Sequence, residues 1–82
     1  MYANEAKAAL EMAASDAETA ISQVMAARQL LVTSLQMSRM IRDTSVDPIG
    51  VPSIVNAIER LDKSIIDIRA YIDATETYAN GI

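Results

Sequence analysis

From Ile54 onward an apolar side chain recurs at alternating spacings of four and three, at Ile54, Ile58, Leu61, Ile65, Ile68 and Ile72, and Thr75 continues the step. This is the a/d rhythm of a heptad helix, whose narrow stripe must be covered by another helix. The pattern predicts a helix over about 54–79, with Ser53 as its N-cap and Asn80-Gly81 as a left-handed C-terminal stop. Upstream, Ala3 to about Asp43 contains neither Pro nor Gly and is dominated by strong helix formers. It predicts one long helix over about 3–43. Between them, about 44–53, the stretch from Thr44 to Ser53 holds Asp47-Pro48, Gly50 and Pro52, which predicts a connecting loop. The fold class read from the sequence is therefore all-α, an antiparallel two-helix hairpin completed by oligomerisation.

At about 100° per residue, Ala6, Leu10, Ala13, Ala17, Ala20, Ile21, Val24, Ala27, Leu31 and Leu35 share one face of the long helix. That face is the expected partner of the heptad stripe. The intramolecular seam is then Val24, Leu31 and Leu35 against Ile54, Ile58, Leu61, Ile65, Ile68 and Ile72. Folding about the loop sets Leu61 near Leu35, Ile65 near Leu31, Ile72 near Val24, Thr75 near Ile21 and Asp67 near Arg28. Two apolar surfaces stay uncovered in this arrangement. A second helix of about 26 residues leaves the first ~14 residues of the long helix overhanging by about 20 Å, with Ala3, Ala6, Leu10 and Ala13 on the unpaired face. Ala26, Leu30, Met37, Met40 and Ile41 form a second cluster, turned roughly 100–160° from the first. These nine residues are the candidate surface for an oligomer or a partner.

Size makes that surface consequential. A single domain of 82 residues (1–82) buries only ~60% of the surface its unfolded chain exposes. There is no Cys for disulfides, and neither Cys nor His for a structural zinc site. Oligomerisation is the remaining common aid for a small core. Apolar residues make up half the chain without Phe or Trp, a palette suited to helix-on-helix packing. The net charge of −4 opposes binding to nucleic acid or to anionic membrane surfaces. The longest uncharged run in the most apolar window, Gln29 to Ser38, is far short of the ~20 residues a membrane span needs. No secretory leader is visible, because Glu5 and Lys7 sit where an apolar segment would be. The expected location is the cytoplasm, or outside the cell by export without a cleaved signal peptide.

Without His or Cys, Ser-His-Asp and Cys-His catalysis and thiol chemistry are excluded. The acid pairs Glu59 with Asp62 and Asp73 with Glu76 stand one turn apart, yet charge on the outer face of a heptad helix ordinarily serves solvation. Gly50 and Gly81 are isolated, so no phosphate-cradling loop exists. Tyr71 and Tyr78 stand seven apart on one flank of the second helix and read as edge packing with their hydroxyls in water. Arg28, Arg39 and Arg42 are three arginines against eleven acids, a weak nucleic-acid signal. The sequence thus points to a non-enzymatic chain with no catalytic residue, cofactor, metal or small-molecule substrate.

Two unequal helices around the Asp47-Pro48 turn, in a short Cys-free chain, resemble the architecture of type III secretion needle subunits. That resemblance is architectural and implies helical hairpins stacking into a filament, exported without a cleaved signal peptide. Leaderless secreted hairpins with a Trp-x-Gly turn are a second comparison, but here the turn reads Pro48-Ile49-Gly50 and there is no Trp. The expectation is a structural subunit whose partner is another copy of itself. The alternative is an adaptor or chaperone-like module that offers the Leu30/Met37/Ile41 face to a different, helical protein, and a nucleic-acid-binding regulator ranks third.

Overall fold

A computed structural model describes residues 2–40 and 50–82. They form two helices, α1 (Tyr2–Met40) and α2 (Gly50–Asn80), packed lengthwise against each other. Arg28 meets Asp62, while Ile21 and Ala14 cluster with Ile72. Lower numbers on α1 thus lie beside higher numbers on α2, and the pair is antiparallel. Ile41 and the predicted loop residues 44–49, with the predicted end of the first helix, lie outside the described residues.

The rod measures 66 × 14 × 12 Å between Cα atoms, with a radius of gyration of 18.8 Å. A globular chain of this length would have a radius near 12 Å. Two helices side by side enclose no interior, so each buries only the stripe facing the other. That stripe holds Ala14, Ile21 and Leu35 on α1, with Ile72, Thr75 and Ala79 on α2. Ala17, Ile65 and Ile68 pack around the cluster of Ala14, Ile21 and Ile72. Val24, Leu31, Ile54, Ile58 and Leu61 are half-buried on the same faces.

Several sequence expectations are corrected. α2 begins at Gly50, four residues before Ile54, so Ser53 lies inside the helix and is no N-cap. Pro52 is tolerated there because the first turn has no intrahelical acceptors for its N–H groups, and the missing donor costs nothing. At the other end neither Asn80 nor Gly81 takes a left-handed conformation. The final turn tightens instead: the Gly81 N–H donates to the Thr77 and Tyr78 carbonyls, and the Ile82 N–H donates to that of Ala79.

The longer α2 also shortens the overhang. α1 has 39 residues and α2 has 31, so about eight residues, roughly 12 Å, remain beyond the pair. Ala14 is buried and Leu10 and Ala13 are half-buried, while Ala3 and Ala6 are exposed. The register differs as well, since Ile72 joins Ile21 and not Val24 alone, and Arg28 pairs with Asp62, not with Asp67. The offset is three residues at Ile72 and five at Arg28, about one helical turn. It leaves the same stripes facing each other, because a heptad seam slid by three or four residues lands on itself.

Arg28 forms a two-pronged contact across the pair. Its Nε donates to Asp62 Oδ1, and its Nη2 donates to Oδ2 at 3.4 Å. The hydrogen bond to Asp62, and then the carboxylate's charge, raise the Arg28 pKa above its ordinary value. A raised value in the folded state supports folding at every pH below the arginine range and is lost only above it. This arginine therefore adds no pH dependence near neutrality. The side chains are 38% and 46% exposed, so water screens the pair. Arg28→Ala is expected to lower the melting temperature slightly with helix content unchanged. The difference should vanish in ~1 M salt, where the screening length falls to ~3 Å; melting curves at low and high salt check it.

Candidate functional site

The face of α1 turned away from α2 is the most distinctive surface of the molecule. Met12 and Leu30 each lie nine residues from buried Ile21, which at 100° per residue places them about 180° around the helix. Their exposures are 67% and 73%, and Met37 and Met40 follow at 62% and 80%. Ala26 lies exposed between them on the same side. Six of the residues read from the sequence as a partner surface, Ala3, Ala6, Ala26, Leu30, Met37 and Met40, are thus solvent-facing in the hairpin.

Met12 belongs to this stripe and is not among the residues read from the sequence. It stands eighteen residues before Leu30, five full turns, so the two point the same way. Its signal is weak because alanines surround it on both sides.

Charge is absent from this face over its whole second half. Between Glu18 and Arg39 the sole charged residue of α1 is Arg28, and Arg28 is engaged by Asp62. Several polar groups of α1 bond within the helix. Thr19 Oγ1 donates to the Ser15 carbonyl, Ser22 Oγ to that of Glu18, and Ser38 Oγ to that of Ser34. Gln29 Nε2 donates to Thr33 Oγ1. Such back-bonding leaves these donors no need of water, so a covering helix strands none of them.

The outer face of α2 contrasts with it. Glu59, Arg60, Lys63, Asp67 and Arg69 are all exposed there. Ile66, Tyr71 and Tyr78 are exposed too, at 67%, 51% and 67%, but they sit singly among charges. Isolated exposed apolar residues are ordinary on a protein surface; a continuous stripe is the informative case.

One shallow groove runs along the flank of the pair, with Ile21, Met25 and Ile72 as its floor and Glu18, Asp73, Glu76 and Arg69 on its rim. Among the described residues no three Asp or Glu side chains are grouped as metal ligands. No helix among them is long and apolar enough to cross a membrane.

The sequence matches no family model, no curated protein and no solved structure.

Proposed function

We propose that this chain is a structural assembly subunit, a helical hairpin that self-associates through the outward face of α1 into an oligomer or filament. The observation that supports it most is that face: four large apolar side chains, Met12, Leu30, Met37 and Met40, exposed along one side of one helix whose second half carries no charge there. The surface area points the same way. The chain exposes 6224 Å², whereas a globular monomer of its mass exposes about 4,800 Å². The surplus is of the order of a protein–protein interface, about 800 Å² from each partner.

The filament form rests on the likeness of this architecture to secretion-needle hairpins. Sedimentation velocity over a hundredfold range of concentration, with negative-stain images at the top of the range, tests the proposal. An open series of growing species, or filaments, is expected. A monomer at every concentration overturns it and favours an adaptor whose Leu30/Met37 face takes a different helical protein, Met being easily repacked around varied partners.

A further inference from the structure

Part of the outward stripe of α1 is symmetric about Ala26, with Leu30 and Met37 falling opposite Ser22 and Ser15. Met12 and Met40 stand fourteen residues to either side of it, and Thr19 and Thr33 stand seven. Steps of seven return to almost the same side of a helix, with a drift of about 20° each that a shallow supercoil absorbs. A second copy laid head to tail along this stripe therefore sets Met12 against Met40, Thr19 against Thr33, and Ala26 against Ala26. A small residue at the centre lets the two backbones approach closely.

Charge selects the same orientation. Every acid of α1 lies at or before Glu18: Glu5, Glu11, Asp16 and Glu18, against Lys7 alone. Beyond Glu18 the helix carries Arg28 and Arg39 and no acid as far as Met40. Glu5 and Asp16 are exposed within about 40° of the stripe, and head-to-tail pairing about Ala26 lays Asp16 of one copy over the uncharged second half of the other, opposite Gln36. Parallel pairing sets Glu5 against Glu5 and Asp16 against Asp16, a repulsion between like charges that disfavours that alignment. Of the two threonines on the stripe, Thr19 already donates to the Ser15 carbonyl and Thr33 accepts from Gln29 Nε2.

We infer that the outward face of α1 is the contact between two copies of this chain, paired antiparallel about a two-fold axis near Ala26. This rests on the self-assembly reading and adds the orientation and centre of the contact. A contact of this kind is self-complementary and closes on itself. This contact alone gives a closed dimer, and an open series of sizes requires a second contact elsewhere on the hairpin.

The chain has no Cys, so single introduced thiols report distances without background. Ala26, Met12 and Met40 are all exposed in the hairpin, and each tolerates Cys without loss of core packing; circular dichroism verifies that the variants fold. With a short bismaleimide, Ala26→Cys is expected to cross-link to itself. Met12→Cys and Met40→Cys are each expected to give no cross-linked dimer alone, because like sites lie about 42 Å apart along an antiparallel pair. When the two are co-refolded, one carrying a mass tag, the mixed species is expected to cross-link. Self-linking of Met12→Cys or Met40→Cys as readily as Ala26→Cys means parallel pairing and overturns the inference. Absence of links at all three sites, in samples whose sedimentation still rises with concentration, overturns it and leaves self-assembly standing. Absence of links in samples that stay monomeric overturns both.

Discussion

Leu30→Asp combined with Met37→Asp is expected to leave the hairpin helical and to weaken self-association by more than a hundredfold. Both side chains point away from α2, at 73% and 62% exposure, so neither contributes to the contact between α1 and α2. In an assembly each is worth about 1.5–3 kcal/mol of burial. Losing two of them corresponds to at least two orders of magnitude in dissociation constant. Aspartate makes the loss larger, because a carboxylate trapped in an apolar contact has no partner cation on this stripe. Sedimentation velocity should show the variant as a monomer at concentrations where the parent chain is assembled. Far-ultraviolet circular dichroism should be unchanged in shape. Continued assembly of the double variant places the contact on another surface, and the exposed flank of α2 with Tyr71 and Tyr78 becomes the next candidate.

The two helices and the identity of their facing stripes were readable from residue spacing, because burial in a helix pair depends on periodicity and little else. Ile54, Ile58, Leu61, Ile65, Ile68 and Ile72 repeat on a heptad, and all six fall on the buried or half-buried side. Register was not readable to better than a turn, for the same reason: a repeating seam offers nearly equal packing at each slip. What distinguishes one slip from another here is a specific polar contact, Arg28 to Asp62, and Asp62 and Asp67 both present a carboxylate within reach of plausible registers. The start of α2 was misplaced because Gly50 and Pro52 carry strong turn signals. In the first turn of a helix those signals lose their force, since the backbone N–H groups there lack intrahelical partners in any case.

The candidate surface was legible in its second half, where Leu30, Met37 and Met40 are bulky, and nearly silent in its first. Met12 is embedded in the run Ala8, Ala9, Leu10, Ala13, Ala14, where alanine on every side blurs which face is apolar. Its place emerges once Ala14 and Ile21 define the buried side. The partial symmetry about Ala26 depends on Met12 and so becomes visible only with the fold.

Ile72→Ala is expected to unfold the hairpin, or nearly so, at low protein concentration. Ile72 is 6% exposed and sits with Ile21 and Ala14 at the centre of the buried cluster, with Ile65 and Ile68 packed around it. Truncating a buried isoleucine costs about 2–5 kcal/mol. Small domains hold only about 5–15 kcal/mol in total, and among the described residues no side chain is completely enclosed. The helices cannot recover the loss by rotating, because turning α2 brings Lys63, Asp67 or Arg69 toward α1. The midpoint of thermal unfolding should fall by roughly 10 °C or more, read from helical circular dichroism. Ile66→Ala is the matched control: Ile66 is 67% exposed, and its loss should change stability by no more than ~0.5 kcal/mol. Concentration then separates folding from assembly. Binding between copies adds stability by mass action, so the midpoint of Ile72→Ala should climb as protein is added. In the Leu30→Asp/Met37→Asp variant it should stay fixed. A midpoint independent of concentration in the parent chain would mean that the hairpin is stable alone, and the exposed stripe of α1 would then have no part in holding it together.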